Sequence, residues 1–316
     1  MKKTNLSPNG FVKMSKWLFL PSALIALCST PAMAANGAAG TCSPSFSDYK
    51  VEIFSNSSPE QASINQDVTI FVPNNPMYKV LGGGAIVHTL DGDSFLTASY
   101  PEVDPGETVP IGWTASSKHI GEGTKARITA YAIAVLDPSD CWNVKMFNSA
   151  PSATAAHPAS SVSVGSGYVL TGGGAKVAQH ANGNGNFLFK SMPNSSGNGW
   201  DVQSKDHATS DPSTIVAYAI GIQASGAGVV TPNSHSLAGK PSSALNNPSA
   251  YANGYNTVLP GINCTLTGGG ANDAWTGFGN MLTAIYPAGT AKWQSFARSW
   301  STDDASVLTA YTVCLN

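Results

Sequence analysis

The chain has 316 residues, of which 42% are apolar and only 11% are charged, and its formal net charge is −2. Soluble domains usually carry about 25% charged residues. The apolar content excludes an intrinsically disordered chain, and the near-neutral charge argues against a nucleic-acid partner, which requires a basic surface. Sustained heptads are absent, which excludes a coiled coil.

The N-terminus has the pattern of a secretory signal. Lys13 and Lys16 precede a short apolar run broken by Pro21, and Ala32-Met33-Ala34 supplies a small-residue cleavage site. The run is too short to cross a bilayer as a helix. We therefore expect residues 1–34 to be removed and the mature protein to be secreted, to the periplasm or the medium, without a membrane span.

Cleavage would also change the charge and cysteine content. Without the four lysines of the signal, 12 basic and 18 acidic residues remain, a net charge of −6. Four of the five cysteines remain, and an even number in an exported chain predicts disulfides, although four cysteines allow three pairings. Since the chain has no paired-cysteine motif or Cys/His cluster, no metal or cofactor is predicted.

Three sequence repeats organise the mature chain. Gly-Gly-Gly-Ala begins at Gly82, Gly172 and Gly268, with separations of 90 and 96 residues. Each copy is followed by a Phe-Leu or Met-Leu pair, a proline, a tryptophan and, 18 residues after the tryptophan, a tyrosine. The tryptophans and tyrosines are Trp113, Trp200, Trp293, Tyr131, Tyr218 and Tyr311. The predicted modules span residues 35–138, 139–226 and 227–316.

Each module is predicted to be all-β. Val, Ile, Thr and aromatic residues alternate with period two, and turn signals recur every 8–12 residues. We expect three tandem β-sandwich or barrel-like modules, which can pack with pseudo-threefold symmetry. The glycine triplets favour bulges or close backbone approach, because no phosphate-loop lysine or helix follows them. The tryptophans share a strand face with small residues, which favours core packing over a ligand platform.

The repeat alignment also selects one disulfide pairing. Cys264 lies just before the third glycine triplet, and Cys314 lies just after the tyrosine strand of the same repeat. A Cys264–Cys314 bond would join two strands of module three and leave Cys42 to pair with Cys141. This pairing is a prediction of the register.

The stretch from Cys264 to Cys314 resembles a family of uncharacterised secreted bacterial β modules with a GGG…P…W…AYxVC pattern. The resemblance is strict over about 50 residues of the third repeat and looser in the first two, which lack the flanking cysteines. It implies exported surface or binding architecture. It transfers no catalytic residue.

The loop after each Gly-Gly-Gly-Ala is the most ligand-like segment of its repeat. Asn, Asp and aromatic side chains on a rigid β scaffold suit sugar recognition, although the same residues also form ordinary turns. Calcium bound by the first loop is a weaker alternative, since its spacing does not match an EF-hand. The candidate ligand residues in these loops are His88, Asp91, Asp93, His180, Asn182, Asn184, Asp273, Trp275 and Asn280.

One cationic position is repeated three times. Lys118, Lys205 and Arg298 each lie five residues after the tryptophan, on the opposite strand face. They are interpreted either as a solvated face that limits edge pairing or as a repeated contact to an anion or sugar acid.

These patterns favour a secreted, non-enzymatic protein that binds glycans or a cell surface through the loops of three modules, with multivalency strengthening weak sites. One alternative is an extracellular hydrolase or toxin-like effector with its site at a module junction. Another is a structural surface or matrix component. No nucleophile elbow or paired-histidine motif supports catalysis, and the oligomeric state stays open.

Overall fold

The computed structural model describes residues 42–43, 45–73, 77–89, 93–120, 125–179, 184–225, 232–239, 242–244, 250–255, 264–300 and 306–316. Within these ranges, all regular secondary structure is β-strand apart from one 3-10 turn at Phe46–Asp48. The all-β prediction is therefore confirmed. The signal predicted over residues 1–34 lies outside the described residues.

The strands follow the three sequence repeats in chain order. The first repeat contains β1 (Val51–Ser57), β2 (Asn65–Phe71), β3 (Tyr78–Thr89), β4 (Ser94–Val103), β5 (Pro110–His119) and β6 (Ala126–Leu136). The second contains β7 (Trp142–Asn148), β8 (Ala159–Ser163), β9 (Val169–Val177), β10 (Asn186–Pro193), β11 (Gly199–Asp206) and β12 (Ile215–Ala224). The third contains β13 (Ser234–Ala238), β14 (Ser242–Ala244), β15 (Ala250–Tyr255), β16 (Thr265–Trp275), β17 (Met281–Pro287), β18 (Lys292–Arg298) and β19 (Ser306–Leu315).

These strands form three antiparallel sheets, and every sheet joins strands of two repeats. The orders are β1-β6-β3-β17-β18-β15, β7-β12-β9-β4-β5-β2 and β13-β19-β16-β10-β11-β8, with β14 also paired to β19. Repeats one and three share the first sheet, repeats one and two the second, and repeats two and three the third. The sharing is cyclic, so the predicted module boundaries do not separate independent sheets.

Neighbouring repeats meet at three short seams with the same register. In each seam, the alanine that follows a glycine triplet pairs with a strand of another repeat. The seam pairs are Ala85 with Ile285, Ile86 with Ala284, Ala175 with Ser99, Lys176 with Ala98, Ala271 with Ser191 and Asn272 with Lys190.

The first glycine of each triplet lies where β3, β9 and β16 touch. A Cβ atom added at Gly172 would lie 2.7 Å from the carbonyl oxygen of Leu81, and one at Gly268 would lie 2.6 Å from that of Thr171. A Cβ at Gly82 would overlap the Thr267 carbonyl. Each strand therefore abuts another of the three, backbone to backbone, and the predicted close approach is confirmed.

Threonine hydroxyls add hydrogen bonds between these strands. Thr171 Oγ1 donates to the Leu81 carbonyl at 2.6 Å, and Thr267 Oγ1 donates to the Thr171 carbonyl at 2.8 Å. The first repeat has Leu81 at the equivalent position, so the hydroxyl ladder has two members instead of three. Both threonines are completely buried.

The second glycine of each triplet makes room for the tryptophan of its own repeat. A Cβ at Gly83, Gly173 or Gly269 would penetrate the indole ring of Trp113, Trp200 or Trp293, respectively, and all three indoles have zero exposure. The core assignment is therefore confirmed.

The indole N–H groups of the three tryptophans are satisfied differently. Trp113 Nε1 donates to Ser99 Oγ and Trp200 Nε1 to Ser191 Oγ, both at 2.9 Å. Ile285 replaces this serine in the third repeat, and among the described residues Trp293 Nε1 has no partner.

The third glycine lies beneath a tyrosine on the outer sheet face. Tyr131 pairs across from Gly84, and its ring stacks on Tyr286 with centroids 5.4 Å apart. In the next sheet Tyr218 pairs with Gly174 and stacks on Tyr100 at 5.2 Å. A Cβ at Gly84 or Gly174 would overlap the carbonyl oxygen of Ile285 or Ser99, so the third glycine lets the backbones of two repeats approach at the seam, beside the stacked tyrosines.

Two disulfides close the end of the body where the glycine strands begin, which we call the base. They join Cys42 to Cys141 and Cys264 to Cys314, with Cα separations of 5.7 and 5.5 Å. These are the pairings predicted from the repeat register. In the loop-entropy description, each contributes on the order of 4 kcal/mol.

Gly173→Ala tests the close packing of glycine against tryptophan. Because the added methyl overlaps the Trp200 ring, we expect the free energy of unfolding to fall by about 3 kcal/mol in urea denaturation. The control is Gly197→Ala, where the Cβ meets nothing within 4 Å and only the φ of +69° is unfavourable, at about 1 kcal/mol. Equal losses in the two variants would contradict this packing.

Candidate functional site

The predicted ligand loops lie at the end of the body opposite the base, which we call the loop end. The residues that begin the return strands, Phe95, Phe187 and Met281, form one buried apolar cluster with Ile120. The rings of Phe95 and Phe187 are 5.5 Å apart. Because each of these residues comes directly after its loop, the points at which the three loops re-enter the strands converge around this cluster.

The repeated cations lie beneath the loops and not on a solvated face. Lys118 and Lys205 are 1% and 0% exposed, and Arg298 is half-buried. The solvated-face interpretation is wrong because the strand face opposite the tryptophans is covered by the loop of the neighbouring repeat. As candidate ligand contacts, Lys118 and Lys205 do not reach the surface.

Each cation is associated with a loop of the next repeat. Lys205 Nζ donates to the carbonyl oxygens of Phe278 and Gly279, in the third loop. Burial lowers the pKa of Lys118, and Asp211 of the second repeat opposes this shift. The three cations thus form a cyclic clamp that fixes the loops.

Arg298 closes this cycle onto the first repeat. Burial lowers the pKa of its guanidinium, and the carboxylate of Asp93, at the end of the first loop, acts in the opposite direction. The candidate ligand residue Asp93 therefore has an electrostatic role within the clamp.

The remaining candidates in the first two loops are distributed differently. His88 is half-buried, its Nε2 lies 3.1 Å from Thr129 Oγ1, and burial lowers its pKa. Asn184 is exposed at the loop end. Asp91, His180 and Asn182 lie outside the described residues, as does the loop tip on which the calcium alternative depends.

Asp273 and Asn280 meet through a serine below the third loop. Ser306 Oγ donates to Asp273 Oδ1 at 2.5 Å, and Asn280 Nδ2 donates to Ser306 Oγ at 2.7 Å. Both candidates are buried, and burial raises the pKa of Asp273 to about 6. Among the described residues, Asp273 Oδ2 and Asn280 Oδ1 have no hydrogen-bond partner.

Among the described loop candidates, Trp275 is the aromatic residue that lies at a surface groove, where its side chain is partly exposed. Lys205 Nζ lies 4.9 Å from the centroid of its indole. His157 and Phe189 meet the indole edge to face, with centroids 5.4 and 5.8 Å away. Gly279 has a φ of +68° and passes close to Trp275. A Cβ atom added at Gly279 would lie only 2.5 Å from the Cβ of Trp275, so only glycine fits there.

A groove of about 450 Å³ runs beside this indole along the seam between repeats two and three. We call it the seam groove, and its volume falls within the range usual for ligand sites. It combines aromatic, amide and carboxyl groups, the set that suits a sugar ring with its hydroxyls. The lining residues are His157, Phe189, Gln203, Asn272, Asp273, Ala274 and Trp275.

Sequence reasoning identified two of the seven residues that line this groove, Asp273 and Trp275. His157, Phe189 and Gln203 come from the second repeat and face the third only because β10 pairs with β16. No motif marks them. Thr89 and Gln179 occupy the positions equivalent to Trp275 in the first two repeats, so its aromatic chemistry is not triplicated.

No protein-family profile matches this chain, and comparison with curated proteins finds no significant relative. The resemblance to secreted bacterial β modules therefore stays a prediction. Within the described ranges, no helix is long and apolar enough to cross a membrane. In the same part of the chain, no three His, Cys, Asp or Glu side chains cluster closely enough to hold a metal ion.

Lys205→Met tests the cation clamp. Removing the ammonium leaves two loop carbonyls without their donor, so we expect the free energy of unfolding to fall by about 2 kcal/mol. The matched control is Lys190→Met on the same sheet, whose 3.4 Å ion pair with Asp201 is worth at most about 1 kcal/mol. Similar losses for both variants in urea denaturation would argue against the clamp.

Asp273→Asn tests the buried acid through pH dependence. A pKa raised from 3.8 to about 6 means that the folded protein retains this proton, so stability falls as pH rises between those values. We expect wild type to lose about 2 kcal/mol more than Asp273→Asn between pH 4 and pH 7. Asp201→Asn is the control, and identical pH profiles for wild type and Asp273→Asn would refute the assignment.

Proposed function

We propose that the protein is an exported, non-enzymatic binding protein that holds glycans in the seam groove beside Trp275. The observation that carries the proposal is a partly exposed indole flanked by Gln203 and Asn272, whose amide groups can donate to and accept from sugar hydroxyls. The indole supplies a flat apolar face for a pyranose ring.

Export is part of the proposal. It is supported by the predicted signal and by two disulfides, which persist in oxidising compartments. Asn184 of the second loop is exposed and can add a weaker contact to a ligand.

A hydrolase is the second candidate because the seam groove lies at a repeat junction and contains the carboxyl group of Asp273. Asp273 lines it with a pKa raised to about 6, and Asp206 lies nearby, 3.5 Å from His157 Nε2. Glycosidases use a pair of carboxyl groups of this kind. Cleavage of a bound glycan would favour this function over simple binding.

A glycan array probed with the mature protein tests the proposal. We expect binding to a restricted set of glycans and at least a tenfold loss of affinity in Trp275→Ala, because the stacking surface is removed. Phe71→Ala is the control, since Phe71 is an exposed aromatic residue on β2, outside the groove. Absence of binding across a broad array, or equal affinity of wild type and Trp275→Ala, would overturn the proposal.

A further inference from the structure

A second groove is also lined by Trp275. Its volume is about 300 Å³, and we call it the loop groove. His157 and Trp275 line both grooves, so the two grooves are adjacent and meet at these side chains. The other lining residues of the loop groove are Asp206, Ala208, Thr209, Ser210, Gly277 and Phe278.

We infer that the two grooves together form an extended cleft for a linear, neutral oligosaccharide, with Trp275 and Phe278 supporting successive sugar rings. This inference rests on the proposed function and adds the class of ligand. Phe278 is 53% exposed at the loop groove and its ring centroid lies 6.1 Å from that of His207, so part of the ring is accessible to a sugar. A single sugar would occupy one groove and leave the other unused.

The exposed surface of the two rings limits how a ligand can bind. Lys205 Nζ lies over one face of the Trp275 indole, 4.9 Å from its centroid, so that face is not available to a sugar. A chain that stacks on the accessible part of the indole and continues past the shared His157 enters the loop groove, where Thr209 and Ser210 are exposed hydroxyls. Hydroxyl groups at that position match the hydroxyl-rich edge of a second sugar.

The outer wall of the loop groove is held in place before any ligand binds. His207 is 4% exposed, and its Nε2 and Nδ1 lie 2.8 Å from the Trp300 carbonyl oxygen and 3.3 Å from that of Phe278. These contacts tie the turn around Ala208, where φ is +60°, to the third loop. A preformed wall reduces the ordering cost of binding, which favours a defined cleft.

The charge around the cleft selects against acidic sugars. Asp206 and Asp273 line its two halves, and the mature chain is predicted to carry a net charge of −6. The residues that line the two grooves include no lysine or arginine, and His157 Nε2 lies 3.5 Å from Asp206 Oδ1. Uronates and sialylated chains would be repelled, whereas neutral chains meet no such penalty.

Calorimetric titration with a length series of the sugar found on the array tests this inference. We expect the tetrasaccharide to bind at least tenfold more tightly than the monosaccharide. Phe278→Ala should remove most of that gain and leave monosaccharide binding unchanged, and Thr209→Ala/Ser210→Ala should act in the same direction without altering an aromatic residue.

The outcomes separate the two proposals. Equal affinity for the monosaccharide and tetrasaccharide, length dependence unchanged in both loop-groove variants, or a preference for acidic chains would overturn the extended neutral cleft while leaving glycan binding at Trp275 intact. Absence of any glycan binding, or binding unaffected by Trp275→Ala, would instead overturn the proposed function and this inference with it.

Discussion

The fold depends on three backbones that touch without side chains between them. Strands β3, β9 and β16 approach so closely at Gly82, Gly172 and Gly268 that a Cβ atom does not fit between their backbones. Protein interiors are close-packed, so a methyl group at such a point must displace a whole strand. The adjacent glycines then admit an indole on one face and a tyrosine pair on the other. One run of glycines therefore fixes the contact between strands, the core and the seams.

Cyclic sheet sharing explains why the loops form a common end. Since each repeat contributes half of two sheets, its cation emerges beneath a loop of the next repeat, as Lys205 does beneath Phe278. The clamp holds cationic groups in contact with loops instead of exposing them on the surface. This role explains why a chain with few charged residues has a cation at each of these three positions. It also sets Trp275 firmly against Lys205 and the second repeat, the arrangement that makes a preformed groove.

Local patterns in the sequence predicted much of this, and long-range pairing limited the rest. Period-two alternation predicted the strands, the spacing of Cys264 and Cys314 predicted their bond, and Trp275 was found as an aromatic loop residue. The alternation around Lys205 indicates which face it occupies but not what covers that face. His157 and Gln203 carry no local signal because their role arises only when β10 meets β16.

The sheets belong to the whole molecule and not to single repeats, because each sheet joins strands of two repeats. Differential scanning calorimetry of the mature, disulfide-bonded protein tests this directly. We expect one transition whose calorimetric and van't Hoff enthalpies agree, because no repeat can unfold without breaking two sheets. Two or three resolved transitions, or a calorimetric enthalpy that is a multiple of the van't Hoff value, would contradict it.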